Sequence, residues 1–392
     1  MTLGERMRCI SAGISALVLA LLTGCGSSSN TKACVGNCCT SNCTAPVEFL
    51  YATSATGGNV ISSFRLSATG VPTSLASQPG PNQSEGIVVD SSGRFLYVSD
   101  FLNDSVDAFS INASSGVLTQ ITGSPFSAGP SPGGGGITIT PDANFLYTTL
   151  TNSSAVAGFS VSAGSGALTA LASSPVAAGN TPFQAVVDPS GTFLYVSNYN
   201  DSMGGISAYT INPFTGDLVA VTGSPFPTEA NFPGPNGLAI GGGGKFLYVG
   251  MLGTVNPNNG VFAFSIASGT GVLTPVSGSP FTTGSEPIRV ATDPSGKLLF
   301  TANQLDNNVS AFTIDGTSGS LMPVPGSPFA LPGSPAGLEV DPGGKFLYVT
   351  TSGNNGLSAF SIDASTGALS PVAGSPFATR GGFSGLAIAK PQ

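Results

Sequence analysis

The sequence predicts an all-β chain built around a single seven-bladed β-propeller, four antiparallel strands to a blade, and three observations carry that reading. A Phe-Leu-Tyr segment, or a close variant, begins at Phe49, Phe95, Phe145, Phe193, Phe246, Leu298 and Phe346. The spacing, 46 to 53 residues, suits one four-stranded blade per repeat. Within each repeat, short alternating or apolar runs lie between turns rich in Gly and Pro, the pattern of strands rather than helices. Composition agrees: 55 Gly and 30 Pro supply many tight turns, and only 8% of residues are charged, against roughly 25% in typical soluble domains. Low-complexity disorder is excluded because 41% of the chain is hydrophobic and the apolar residues recur at fixed places.

Taken in chain order, residues 1–24 read as an export signal rather than as fold. Arg6 and Arg8 make a short basic region, Ile10 to Leu22 an apolar stretch, and Leu22-Thr-Gly-Cys25 follows. That tetrapeptide resembles the bacterial lipobox. The resemblance implies cleavage before Cys25 and lipidation of its sulfur, placing the mature chain on a membrane at the periplasmic or cell-surface face. Residues 25–46 are rich in Ser, Asn, Thr and Gly and read as a tether. Four cysteines fall in it, Cys34, Cys38, Cys39 and Cys43. In an exported protein they are expected as two disulfides, whose pairing the spacing leaves open. The absence of paired C-x2-C knuckles speaks against zinc, and no metal site is expected there.

Residues 47–392 form the propeller. In a complete repeat an inner strand A (Gly337-Leu-Glu-Val-Asp341) leads through Asp341-Pro-Gly-Gly344 into strand B (Lys345 to Thr350). Strand C (Leu357 to Ile362) and strand D (Leu369 to Val372) follow, closed by Gly374-Ser-Pro-Phe377. The Asp-Pro-x-Gly turns at Asp188, Asp293 and Asp341 have type I preferences, so these aspartates are read as structural. The first repeat starts at strand B and the last ends with an extra strand A, Gly385 to Ala389. Pairing that C-terminal strand with N-terminal strands B to D closes the ring and leaves no open edge, which predicts a monomer.

Because the A–B and C–D turns are short and repetitive, function belongs to the opposite face, where the B–C and D–A loops lie. The mouth of the axis is expected where strand A begins, nine residues before a Phe-Leu-Tyr start, at Gly86, Gly136, Gln184, Gly237, Arg289 and Gly337, with Gly385 in the last strand. Only Gln184 and Arg289 carry functional groups there. Glu85, Asn236, Glu286 and Arg380 stand nearby in sequence, and Asp100, Asn198 and Asn303 lie on the loops of that face. A formal net charge of -8 without a basic patch excludes nucleic-acid binding.

Segments such as Gly344-Lys-Phe-Leu-Tyr-Val349, followed by Ser-Ala-Phe-Ser-Ile, resemble the bacterial lactonase family of seven-bladed propellers. That family includes 6-phosphogluconolactonase, and it overlaps with YVTN-repeat proteins. The resemblance covers about Phe49 to Ala389. It implies a lactone as substrate and a histidine after the Pro-x pair opening a strand A. This chain has no histidine. Gln184 stands at that place in Pro182-Phe-Gln184 and Arg289 in Pro287-Ile-Arg289, and neither accepts a proton at neutral pH, so a histidine-based mechanism is excluded.

Two catalytic routes stay open. In one, Glu85 or Glu286 acts as base while Arg289 or Arg380 steadies the oxyanion, with no cofactor required. In the other, Glu85, Asp100, Asn198, Asn236 and Asn303 hold calcium, a likeness in ligand type to the gluconolactonases on six-bladed propellers. The glycine-lined, charge-poor mouth favours recognition over catalysis, so the main expectation is a lipid-anchored binding or interaction module on the cell envelope, binding a sugar acid or an envelope protein. A lactone hydrolase is the alternative.

Overall fold

The computed structural model describes residues 33–35, 38–40, 47–54, 59–81, 83–84, 86–129, 134–200, 205–228, 234–252, 260–351, 356–379 and 383–392. The chain divides into two units, Met1–Ala45 and Pro46–Gln392. In the first, Ala33–Val35 and Cys38–Thr40 pair antiparallel, with Cys34 opposite Cys39 and Val35 opposite Cys38. The export signal, Cys25 and Cys43 lie outside the described residues. Among the described residues no helix is long and apolar enough to cross a membrane.

The second unit is the seven-bladed propeller. Blade 2 shows the pattern: strand A Ile87–Val89, B Phe95–Asp100 and C Ser105–Ile111 pair antiparallel in that order. Strand D pairs with C at Leu118–Gln120 and again at Phe126–Ser127. Blades 3 to 7 repeat it, with inner strands Gly134–Ile139, Pro182–Val187, Pro235–Gly241, Pro287–Thr292 and Pro335–Val340, the second strand D contact of blade 7 being a single bridge from Leu357 to Phe377. Blade 1 is assembled from both chain ends. Its strands B and C are Glu48–Ser54 and Val60–Leu66, and its inner strand is Phe383–Ala389, paired so that Phe49 faces Ala389 and Thr53 faces Gly385.

The recurring Phe-Leu-Tyr motif joins each blade to the next. The hydroxyl of Tyr97 donates to the carbonyl of Gly166 in blade 3 at 3.0 Å, and Tyr51, Tyr147, Tyr195, Tyr248 and Tyr348 bond likewise to Gly116, Gly216, Gly271, Gly319 and Gly70. Tyr348 to Gly70 carries the series across the ring closure. Burial raises the pKa of all six phenols, which keeps them protonated as donors. The motif's Phe packs on the same glycine. Gly116 holds φ +71°, and a Cβ there would stand 2.4 Å from Phe49 Cδ1, so only glycine fits both the left-handed turn and the ring. Blade 6 departs: Phe300 replaces tyrosine and is fully buried without a hydroxyl.

The Gly-Ser-Pro segments, Ser-Ser-Pro in blade 3, explain why strand D is split. Each serine accepts a hydrogen bond from a strand C amide at the break: Ser124 from Ala108, Ser174 from Gly158, Ser224 from Ala208, Ser279 from Ala263, Ser327 from Ala311 and Ser375 from Ala359, all within 2.8–3.0 Å. The outermost strand is thereby broken into short pieces, which blunts the edge against pairing with other chains. The turn aspartates are structural as expected. Asp188 Oδ1 accepts from Thr192 and Phe193 amides, both at 2.7 Å, and Asp293 does the same for Lys297 and Leu298.

Candidate functional site

All seven inner strands converge on one axial cavity of about 160 Å³. Gly86, Gly136, Gln184, Arg289, Gly337 and Gly385 line it, six of the seven expected mouth positions, and Leu238 lines it beside the seventh, Gly237. Local folding puts them there. In blade 4, Pro182 pairs with Asn198 but Ala185 with Val196, so Phe183 and Gln184 together oppose Ser197. Such a bulge re-aims the side chain it carries. Ser197 Oγ holds it, accepting from the Gln184 amide at 3.0 Å and donating to the Asn236 carbonyl of blade 5 at 2.9 Å. The glycines record close approach of neighbouring inner strands: a Cβ on Gly237 would lie 2.8 Å from the Val290 nitrogen, and one on Gly136 2.8 Å from Gln184 Cα.

Among the described residues two charged side chains line this cavity, Arg289 and Glu339. Arg289, half-buried, donates from Nη1 to Asn236 Oδ1 at 3.3 Å and stands 5.8 Å over the Phe183 ring. Residues of three consecutive blades therefore fix one guanidinium, and the ring contact favours its cationic form. Gln184 Oε1 accepts from the Leu238 amide at 3.4 Å. Glu339 lies one step deeper on the inner strand of blade 7, opposite Tyr348. Its carboxyl accepts no hydrogen bond among the described residues, and burial pushes its pKa up to about 8, so at neutral pH it is mostly a neutral acid.

Sequence reasoning passed over Glu339, reading its segment as one more apolar strand. The available signal was positional. At the same register, opposite the strand B aromatic, the other blades carry Val88, Thr138, Val186, Ala239, Ala291 and Ala387. A carboxylate stands out in that series.

The other expected residues are placed as follows. Glu85 and Arg380 lie outside the described residues. Glu286 is not among the residues lining the cavity. It occupies a left-handed conformation, φ 55°, and its carbonyl accepts from the Gln304 amide at 2.8 Å, a task done in blade 5 by Gly234 for Leu252. Asn236 reaches the site through Arg289. Asp100, Asn198 and Asn303 end strand B of blades 2, 4 and 6 and turn inward on their own hairpins. Asp100 accepts from the Leu102 and Asn103 amides, Asn198 donates to Ser207 Oγ at 3.0 Å, and Asn303 donates to Asn308 and Ser310. Among the described residues no group of three or more His, Cys, Asp or Glu is placed to hold a metal ion.

Asp107 is a further perturbed carboxyl, raised to about 6 by burial and by the nearby Asp100, but it sits on strand C away from the axis. A second cavity, about 710 Å³, lies between strands C and D of blade 1 and the end of blade 7, where blade 1 lacks the Gly-Ser-Pro break. Its walls carry hydroxyls from Ser62, Ser63, Ser74, Ser77 and Thr379 and, among the described residues, no titratable carboxyl or cation.

Comparison with known proteins adds context. The family model described as Lactonase, 7-bladed beta-propeller, matches residues 62–132, 125–230 and 222–332. A structure of a putative 6-phosphogluconolactonase from Bacteroides uniformis is similar with a TM-score of 0.74 at 18% identity, covering 88% of this chain and 99% of its own. One from Bacteroides fragilis, also a putative 6-phosphogluconolactonase, gives 0.72 at 21% identity over 89% and 100%. The periplasmic gluconolactonase of Pseudomonas aeruginosa gives 0.68 at 19% over 88% and 99%. No curated protein sequence matches the chain. At these identities the structural likeness speaks to the fold.

Proposed function

We propose that this chain, which belongs to the Lactonase family of seven-bladed β-propellers, hydrolyses a lactone of the sugar-acid type in its axial cavity. The observation that carries this reading is that a fixed guanidinium and a carboxyl line one small cavity at the centre of the ring. An apolar cavity of about 150 Å³ accepts a benzene-sized ring, so the space suits a single five- or six-membered lactone. Family membership supports the reaction class. Recognition alone, which the glycine-lined mouth favours from sequence, gives way to hydrolysis because both of these supports point to chemistry.

In lactone hydrolysis, negative charge gathers on the carbonyl oxygen as water adds to the acyl carbon. A donor already oriented toward that position lowers the barrier without reorganising. Arg289 fills this role: its guanidinium stays protonated, and Phe183 and Asn236 hold it at the mouth. The route needs no cofactor. On the same footing we propose that the chain is exported and held on a membrane surface through a lipidated Cys25, which the order Arg6-Arg8, Ile10 to Leu22 and Leu-Thr-Gly-Cys25 supports.

The test is hydrolysis of a lactone panel including δ-gluconolactone and its 6-phosphate, corrected for the buffer rate. Arg289→Ala is expected to lower kcat by about 10²–10³-fold, the usual effect of removing one oxyanion donor. A wild-type protein that turns over no lactone above buffer, or an Arg289→Ala variant as active as wild type, would refute the reading.

A further inference from the structure

We propose that Glu339 is the catalytic proton acceptor of this hydrolysis, taking a proton from the water that attacks the lactone carbonyl held at Arg289. The inference rests on the lactone-hydrolase reading and supplies, for a chain without histidine, a base in the same cavity as the oxyanion donor.

The geometry is specific to one blade. Glu339 sits on the inner strand of blade 7, next around the ring from blade 6, which carries Arg289, and both residues line the axial cavity. At the register of Glu339 the adjoining inner strands present Ala291 and Ala387, so its neighbours around the ring bring neither charge nor a competing donor. Across its own ladder stands Tyr348, whose hydroxyl is committed to the Gly70 carbonyl. Among the described residues Arg289 is the other charged group in the cavity lining, and no ion pair joins it to Glu339. A half-buried acid on the cavity wall that accepts no hydrogen bond from the described residues has a natural use in exchanging protons with a ligand or its water.

The chemistry balances within these groups. Glu339 as carboxylate takes a proton from water while the water oxygen bonds to the acyl carbon and the carbonyl electron pair moves to the oxygen facing Arg289. The tetrahedral adduct then collapses: the carbonyl reforms, the ring carbon–oxygen bond breaks, and the leaving alkoxide takes the proton back from Glu339. The product is the open hydroxy acid, which releases its own proton to solvent. Burial raises the affinity of this carboxyl for its proton, with a pKa of about 8, and so makes the ionised minority a stronger base than an exposed glutamate.

The experiment is the pH dependence of kcat/KM on δ-gluconolactone, between about pH 6 and pH 8.5 with the buffer rate subtracted, for wild type, Glu339→Gln, Glu339→Asp and Arg289→Ala. The wild-type rate is expected to climb through one ionisation near pH 8. Glu339→Gln, nearly isosteric, is expected to lose about 10²–10⁴-fold and to flatten the profile. Glu339→Asp should keep a sloping profile at reduced rate, and Arg289→Ala should lose rate while keeping the slope. Far-ultraviolet circular dichroism confirms that the variants are folded. An active wild type with a Glu339→Gln variant of equal rate and slope would overturn the role of Glu339 and leave the hydrolase reading standing. A wild type inert on every lactone would overturn both.

Discussion

Removing one phenol hydroxyl from the ring of blade-to-blade bonds should measurably loosen the propeller, and the structure sets the size of the effect. Tyr97 is fully buried, and its hydroxyl donates to the Gly166 carbonyl at 3.0 Å. Tyr97→Phe keeps the ring and its packing, so the loss is the hydrogen bond plus the partial desolvation penalty of a carbonyl left without that donor, together about 1–2 kcal/mol. Unfolding entropy near 2.1 cal/mol/K per residue over about 350 residues gives roughly 0.7 kcal/mol/K, so Tm should fall by about 2 °C. A second change in a distant blade, Tyr248→Phe, should add to the first, because the two sites share no partner. Blade 6 supplies the reverse case. Phe300→Tyr would point a hydroxyl at the Gly367 turn and should raise stability by about 0.5–1.5 kcal/mol. Differential scanning calorimetry is the assay, since tyrosine substitutions alter the fluorescence of a chain without tryptophan. If Tyr97→Phe leaves the midpoint unchanged, or if Phe300→Tyr lowers it as far as Tyr97→Phe does, the hydroxyls do not hold the blades together.

Glu339 should also leave a signature in stability. Below about pH 4.5 both folded and unfolded chains hold its proton, and between there and about pH 8 only the folded chain does, so its contribution to stability is lost as pH rises through that window. The slope limit is about 1.4 kcal/mol per pH unit, lessened by water that reaches the cavity. Glu339→Gln should therefore gain on wild type in Tm as pH goes from about 5 to about 8, and parallel curves would contradict the assignment. For the proposed anchor, palmitate labelling of the expressed full chain should disappear in Cys25→Ser, and labelling that persists would count against lipidation there.

The architecture was legible because each blade repeats the same local solutions. Phe and Tyr of the motif, the turn glycine of the next blade and, in most blades, the Ser-Pro breaks recur in the same order at intervals of 46 to 53 residues, and a repeat announces itself by recurrence. The mouth was legible for the same reason: counting back from Phe-Leu-Tyr reaches Gln184 and Arg289. The loop residues were less so. Asp100 and Asn303 look like ligands on an exposed loop, yet short Asx and amide side chains at the end of a strand satisfy the hairpin that follows, and the partner they take is set by the folded hairpin rather than by local sequence. Glu339 escaped because it falls inside a strand whose neighbours are apolar, where an acid reads as an interruption of the pattern rather than as its point.

These two outcomes follow from one physical distinction. In a ring of similar blades, a residue needed for the fold is needed by every blade, because each blade must bury the same faces and cap the same turns. A ligand on the axis meets all seven inner strands at once but needs only a few functional groups, so those groups must appear as departures from the repeat. At the mouth, Gln184 and Arg289 depart from glycine, and one step deeper Glu339 departs from a series of small or β-branched residues. Phe300 is a departure too, yet it subtracts a hydroxyl from an interface between blades and faces no cavity that the ligand would enter. A departure therefore points to the proposed function only where it adds an amide or ionisable group to the cavity wall, and among the described residues that condition selects Gln184, Arg289 and Glu339 together.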